Sequence, residues 1–267
     1  MSDIEANTPY DDVCRTLAVE CDDLVIPLVN EIFGENFSPD AQIIRCGNEH
    51  FEEQQGGAEQ KRVTDSLMNV IDQPEEHRKK LHIECESRSY DGTILIRIFE
   101  YASQIALDDG SVRDMTLHVD FPHSAVIFLR SKKTHSGKMN IHINTPGGEV
   151  DYEIPTLHIQ DYDIEDLFAK QLYFLIPFYL FNYESHFAEI SADEEQLNEI
   201  KGLYRNIMER LEAAVGEGKL TEFSYLTIRD MTNRVAQNLA RKYESIKKGI
   251  GDIMGGQVLD YEAKRIR

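Results

Sequence analysis

The chain has 267 residues, 41% of them hydrophobic, enough for one large domain or two modest ones. Its net charge of -20 argues against general nucleic-acid binding, and no apolar run approaches the roughly 18 residues of a membrane span. The sequence does not open with a signal peptide, and its four cysteines form no CxxC pair. We therefore expect a cytoplasmic protein with free thiols.

The charge is unevenly distributed. Residues 201–267 carry 13 Lys and Arg against 9 Asp and Glu, a local charge of +4, whereas the rest of the chain carries -24. Such asymmetry is typical of a basic segment that meets a polyanion, and equally of the exposed face of a helical tail. The sequence leaves both interpretations open.

The first part of the chain mixes helical and strand patterns. Apolar residues at helical spacing predict a helix over 10–33, and the polar, Gln- and Gly-rich stretch 47–62 indicates a surface loop. Strand patterns at 63–71 and 80–87 flank a charged connection, which predicts an antiparallel hairpin. A recurrence of apolar residues at three and four predicts a helix over 93–107.

The second part begins with strands and ends with helices. Strand patterns occupy 115–120 and 124–130, and alternating strands flank a Pro-Gly-Gly turn over 138–155. From about residue 163 the pattern is helical. This order predicts an α/β core with a helical C-terminal extension.

The second strand of the first hairpin carries the sequence HIECES, residues 82–87. Alternation places His82, Glu84 and Glu86 on one face of that strand. Two carboxylates on one face repel each other unless water or a cation separates them. The pair therefore faces solvent or holds a divalent metal.

Asp65 lies near the start of the first hairpin strand, so strand pairing could bring it close to Glu84. Carboxylates of this kind are hard oxygen ligands that suit Mg²⁺. A bound Mg²⁺ can activate water and neutralise the charge that develops on a phosphodiester. With 48 acidic residues in the chain, an exposed polar strand face is the competing interpretation.

The stretch TD, 18 further residues, ECE, and then a helix opening with ILIRIFEY resembles the PD-(D/E)XK nuclease superfamily. More narrowly, it resembles the recombination-promoting nuclease and putative transposase branch. The resemblance implies a restriction-endonuclease-like mixed sheet flanked by helices over 1–185, with a helical region over 186–267. It implies Asp65 and Glu84 as metal ligands, and supporting roles for Glu49, Arg97, Tyr101 and Gln104.

The activity implied by the resemblance is a Mg²⁺-dependent DNA endonuclease, with Mn²⁺ as an alternative ion. DNA would be the partner, a homo-oligomer is compatible, and no membrane is involved. Glu86 stands where the superfamily usually has Lys and the branch usually has Gln. A Glu cannot supply positive charge there, so it would complete the site or position the attacking water. The alternative is a nuclease-like module that no longer cleaves and only binds DNA or protein.

Overall fold

The computed structural model describes the backbone of residues 8–46, 49–53, 59–63, 66–72, 77–130 and 137–255, and the side chains of all these except 49–53 and 59–63. The chain divides into two compact units. One is Val25–Asp163, and the other joins Met1–Leu24 to Ile164–Arg267. No helix within the described ranges is long and apolar enough to cross a membrane.

All ten strands that the structure describes belong to the unit Val25–Asp163. They are β1 (Gln42–Arg45), β2 (Glu49–Glu53), β3 (Glu59–Val63), β4 (Ser66–Ile71), β5 (Arg78–Glu86), β6 (Ser111–Arg113), β7 (Thr116–His118), β8 (His123–Phe128), β9 (Lys138–Thr145) and β10 (Gly148–His158). Six of them form one mixed sheet in the order β1-β4-β5-β8-β10-β9. The mixed α/β class predicted from the sequence is confirmed at this level.

The sheet changes from antiparallel to parallel at its centre. β5 is antiparallel to β4 and parallel to β8. A parallel pair needs a long crossover connection, and helix α3 (Thr93–Asp108) lies within the connection between β5 and β8. Buried Ile94 and Ile98 of α3 pack against Val126 and Phe128 of β8, which confirms the helix predicted over 93–107.

β5 is a central strand, and every residue from Leu81 to Glu86 is buried. The exposed fractions of His82, Glu84 and Glu86 are 0%, 3% and 7%. The interpretation of their face as a solvent-exposed strand face is therefore wrong, because all three side chains are almost completely buried. The alternation of polar and apolar residues reports which side chains share a face, and it does not report whether that face meets water.

Two elements predicted in the first part of the chain differ from the structure. The surface loop expected over 47–62 contains strands β2 and β3, which pair antiparallel with Glu49 opposite Val63. Their polar sequence lacks the apolar alternation by which a half-buried strand is recognised. The single helix expected over 10–33 is two helices, α1 (Pro9–Glu20) and α2 (Asp22–Phe33), because Cys21 between them has a non-helical backbone.

The other unit is helical in its described residues, in agreement with the helical pattern of the sequence from about residue 163. It contains α1, α4 (Ile164–Ala169), a 3₁₀ segment (Tyr173–His186), α5 (Phe187–Ala192), α6 (Glu194–Gly216), α7 (Glu222–Leu239) and α8 (Glu244–Ile253). Several aromatic side chains are almost completely buried in it, among them Phe174, Phe178, Phe187 and Tyr204. Aromatic residues bury large apolar areas, so this unit has a core of its own.

A separate two-stranded sheet, β6–β7, follows α3, in a region where the sequence predicted one strand over 115–120. Arg113 pairs with Thr116, which leaves Asp114 and Met115 as a two-residue loop. Their φ angles are +48° and +63°. A turn with both central residues in this region favours Asn-Gly, so Met115 is a strained choice.

We expect the free energy of unfolding of Met115→Gly to exceed that of Met115→Ala by about 1 kcal/mol. Both variants remove the methionine side chain, but only glycine relieves the left-handed backbone. Urea denaturation of the two proteins, followed by circular dichroism, measures the difference. Equal stabilities would contradict the strain assigned to this turn.

Candidate functional site

The two carboxylates of β5 converge on one cation, the guanidinium group of Arg97. Nε of Arg97 lies 3.5 Å from Oε2 of Glu84, and Nη2 lies 3.2 Å from Oε2 of Glu86. The Arg97 side chain is 25% exposed, whereas both carboxylates are almost completely buried. The positive group between the two glutamates is thus supplied by the chain itself.

α3 fixes the position of Arg97. The buried residues Ile94 and Ile98 hold one stripe of the helix against the sheet. Arg97 and Tyr101 lie four residues apart and therefore share a neighbouring face. The helix begins next to Asp91, whose carboxylate accepts hydrogen bonds from the Thr93 amide and hydroxyl, at 2.9 and 2.6 Å. The contacts of Asp91 at the start of the helix and the packing of Ile94 and Ile98 together fix where Arg97 lies relative to the carboxylates.

A chain of buried polar groups reaches Glu84 from the opposite direction. His82 Nε2 lies 3.0 Å from Glu84 Oε1, and His82 Nδ1 lies 3.0 Å from Ser124 Oγ. The Tyr152 hydroxyl lies 2.7 Å from both Ser124 Oγ and the Pro122 carbonyl oxygen. These contacts join β5, β8 and β10 through side chains as well as through the sheet.

The tyrosine is the donor at the far end of this chain of contacts. Burial raises the pKa of Tyr152, so its hydroxyl keeps its proton and directs it at the Pro122 carbonyl oxygen and at Ser124 Oγ. The donor in the contact between His82 Nδ1 and Ser124 Oγ depends on the histidine tautomer. Arg97 supplies positive charge beside both buried carboxylates, as burial requires.

Glu86 lies at the end of β5, where the chain leaves the sheet. Its Oε1 accepts the amide hydrogen of Arg88 at 2.8 Å. The Arg130 side chain donates to the carbonyl oxygen of Ser87. Glu86 thus uses one oxygen to hold the strand exit and the other to hold Arg97.

Of the other residues proposed from the sequence, the structure describes the side chains of some and not of others. Asp65 lies outside the described residues, although its neighbour Ser66 pairs with Ile83 of β5. The Glu49 backbone begins β2, and its side chain is outside the described part of the chain. The Tyr101 ring stands edge-on to His82, with 6.0 Å between ring centroids. Gln104 donates to Asp108 on the same helix, at 2.8 Å.

Sequence reasoning assigned no role to His82, Ser124 or Tyr152. The signal for His82 was present, since alternation already placed it on the face of Glu84. Ser124 and Tyr152 reach the site only through the pairing of β5 with β8 and of β8 with β10, where His82 stands opposite Ser124. No local pattern in the sequence specifies that register.

The carboxylates fit a hard divalent ion. Mg²⁺ is bound by one or two carboxylates and keeps several waters, and the Oε2 atoms of Glu84 and Glu86 already converge on one cation. Asp65 is the further ligand implied by the family resemblance. Among the side chains that the structure describes, no group of three or more His, Cys, Asp and Glu is arranged to hold a metal ion.

The buried histidine contact predicts a large effect for a small change. Ser124→Ala should lower the free energy of unfolding by about 2 kcal/mol, because it leaves buried His82 Nδ1 without its partner. Ser185→Ala is the matched control, since Ser185 contacts His186 at 3.1 Å in an exposed pair. That change should cost less than about 0.5 kcal/mol. Urea denaturation giving equal losses would contradict the buried chain of contacts.

The chain matches no protein-family model, no curated protein and no solved structure at a significant level.

Proposed function

We propose that this protein is a Mg²⁺-dependent DNA endonuclease of the transposase-associated, recombination-promoting type. One observation carries the proposal: two carboxylates on a buried central strand direct oxygen atoms at a single cation. Two buried carboxylates that share one charged partner are a candidate functional site, because burying such a group costs free energy that structure alone could avoid.

The roles follow from the geometry and from the resemblance. Glu84 and Asp65 are the proposed metal ligands, and Glu86 completes the site or positions the attacking water. A bound Mg²⁺ would activate water and neutralise charge developing on the scissile phosphate. His82 holds Oε1 of Glu84, so that Oε2 remains directed at the cation.

The fold supports the proposal at a coarser level. An antiparallel series, β1-β4-β5, is followed by α3 and a parallel strand, β8, so the carboxylates lie on the strand where the sheet changes direction. This arrangement supports the restriction-endonuclease-like core that we propose. The positive balance of residues 201–267 supports contact with a DNA backbone. A cytoplasmic location belongs to the same proposal.

The test combines cleavage with direct metal binding. Supercoiled plasmid should be nicked or linearised with Mg²⁺ or Mn²⁺ and stay intact with EDTA. Binding of Mn²⁺ alone should be visible by electron paramagnetic resonance, and Glu84→Gln should weaken it. Intact plasmid together with unchanged free Mn²⁺ would overturn the proposal.

The second candidate is a nuclease-like module that binds DNA or protein without cleaving. The ion pairs of Arg97 favour it, because they satisfy both carboxylates without a metal. This candidate predicts DNA retention in a mobility-shift assay together with intact plasmid and no Mn²⁺ binding. The same experiments therefore distinguish the two functions.

A further inference from the structure

The guanidinium group of Arg97 occupies the position that the proposed function gives to a metal ion. Its Nε lies 3.5 Å from Oε2 of Glu84, and its Nη2 lies 3.2 Å from Oε2 of Glu86. Those two oxygens are the ones directed at the proposed ion, and two cations cannot share them, because like charges at such distances repel. A bound ion and the observed position of Arg97 therefore exclude each other.

Arg97 is held in a way that permits its displacement. Charge-assisted N–H···O hydrogen bonds are about 2.7–2.9 Å long, and both of these contacts with the carboxylates are longer. The Arg97 side chain is 25% exposed, so it already reaches solvent. The Oε1 atoms of the two carboxylates are held by other groups, at 3.0 Å from His82 Nε2 and at 2.8 Å from the Arg88 amide nitrogen. The carboxylates thus keep contacts that do not involve Arg97.

Two further arginines lie where β5 and β8 end. Arg88 is exposed and follows Glu86 by two residues, and the Arg130 side chain donates to the carbonyl oxygen of Ser87. The two strands are parallel and end together, with the Leu129 amide donating to the Glu86 carbonyl oxygen at 2.9 Å. Ligands of open α/β sheets bind outside the carboxyl ends of parallel strands. The positive charge there suits an anion such as a phosphate group.

We propose that Arg97 exchanges the two carboxylates for a phosphate of the DNA backbone when the site is loaded. The guanidinium group is planar, and its donors match a phosphate group bidentately. The inference rests on the proposed function and adds a role that the function alone does not require. Arg97 balances the carboxylates in the empty site and binds DNA in the loaded one.

This exchange couples the binding of the ion to the binding of DNA. When an ion takes the carboxylate oxygens, Arg97 becomes available to a phosphate, and when DNA takes Arg97, the carboxylates become available to an ion. Coupling between two ligands is reciprocal and typically amounts to about 5–150-fold in affinity. Mn²⁺ should therefore raise the affinity for DNA at least about fivefold, and DNA should raise the affinity for Mn²⁺ by the same factor.

Fluorescence anisotropy with a short labelled DNA duplex, at constant ionic strength, measures the affinity of the full chain for DNA with and without Mn²⁺. Electron paramagnetic resonance of free Mn²⁺ measures the affinity for the ion, after subtraction of the Mn²⁺ that the duplex binds alone. Gel electrophoresis selects the titrations in which the duplex stays intact. In Arg97→Gln the two ligands should bind independently, with a coupling factor near one. Arg113→Gln is the matched control, because Arg113 is exposed and lies on the separate β6–β7 hairpin, and it should keep the coupling of the unmodified protein.

Two results would overturn the inference alone. One is binding of both Mn²⁺ and DNA to the unmodified protein without coupling, and the other is coupling in Arg97→Gln as strong as in Arg113→Gln. Absence of Mn²⁺ binding to the unmodified protein would instead overturn the proposed function, and the inference with it.

Arg97→Lys keeps a positive charge beside the carboxylates and replaces Arg97→Gln should that variant not fold. Lysine binds a phosphate group as a point charge and without the bidentate fork of arginine. The coupling in Arg97→Lys should therefore be smaller than in the unmodified protein. A coupling that is equal or larger would contradict the exchange.

Discussion

Arg97→Gln should lower the free energy of unfolding by about 3 kcal/mol, which is among the largest effects expected of a single change in this protein. Breaking a buried ion pair by removing one partner costs about 3–5 kcal/mol, because the remaining charge stays buried without compensation. Arg97 is 25% exposed, so the lower end of that range applies. Glu84 and Glu86 would then repel each other at the centre of the sheet.

Denaturation by urea without divalent ions measures this loss. Arg234→Gln is the control, because Arg234 lies 3.2 Å from Asp12 in a pair whose two side chains are 45% and 42% exposed. An exposed pair contributes at most about 1 kcal/mol. Losses of the same size in the two variants would show that the carboxylates do not depend on Arg97.

The same variant tests the metal site without any substrate. If Mg²⁺ binds where the Arg97 guanidinium lies, the ion must compete with Arg97 in the unmodified protein and has no such competitor in Arg97→Gln. Ligand binding to the folded state stabilises it by mass action. Millimolar Mg²⁺ should therefore raise the melting temperature of Arg97→Gln more than that of the unmodified protein. An equal or smaller rise would place any bound ion elsewhere.

How far the sequence predicts this fold depends on what each element contacts. α3 was predicted within one residue because its apolar stripe faces the sheet and repeats at three and four. β2 and β3 were missed because their strands are polar throughout. Cys21 interrupts the first predicted helix without interrupting its apolar stripe, so the break has no signal in periodicity.

The candidate site, too, can be predicted from the sequence only in part. The sequence predicts Glu84, Glu86 and Arg97 as candidate site residues, the first two by alternation and the third by family resemblance. That Arg97 forms ion pairs with both carboxylates depends on how α3 packs on the sheet, which no local pattern specifies. The partners of His82 depend on strand register over 42 residues to Ser124. Long-range geometry of this kind becomes visible only in the folded chain.

Glu84→Gln and Glu86→Gln should distinguish the roles of the two carboxylates in a cleavage assay. Glu84→Gln should reduce plasmid cleavage by more than about a hundredfold. Loss of a group that only supports a metal ligand already costs about 10–100-fold, and Glu84 is proposed as a ligand itself. Glu84→Gln should also abolish most of the Mg²⁺-dependent rise in melting temperature.

Glu86→Gln should retain cleavage within about tenfold of the unmodified protein. Its amide oxygen can still accept the Arg88 amide hydrogen and can still position water. The substitution also removes one of the two carboxylates that hold Arg97, so Mg²⁺ should displace the guanidinium more easily and stabilise this variant at lower concentrations. Gln is the usual residue of the resembling branch at this position.

Glu153→Gln is the control for replacing a carboxylate by an amide, because Glu153 pairs with Lys138 at the surface, far more exposed than either site carboxylate. It should leave both cleavage and metal stabilisation unchanged. Loss of cleavage in Glu86→Gln comparable to that in Glu84→Gln would make Glu86 a required ligand. Cleavage that survives in Glu84→Gln would contradict the role of Glu84 as a metal ligand, on which the nuclease proposal depends.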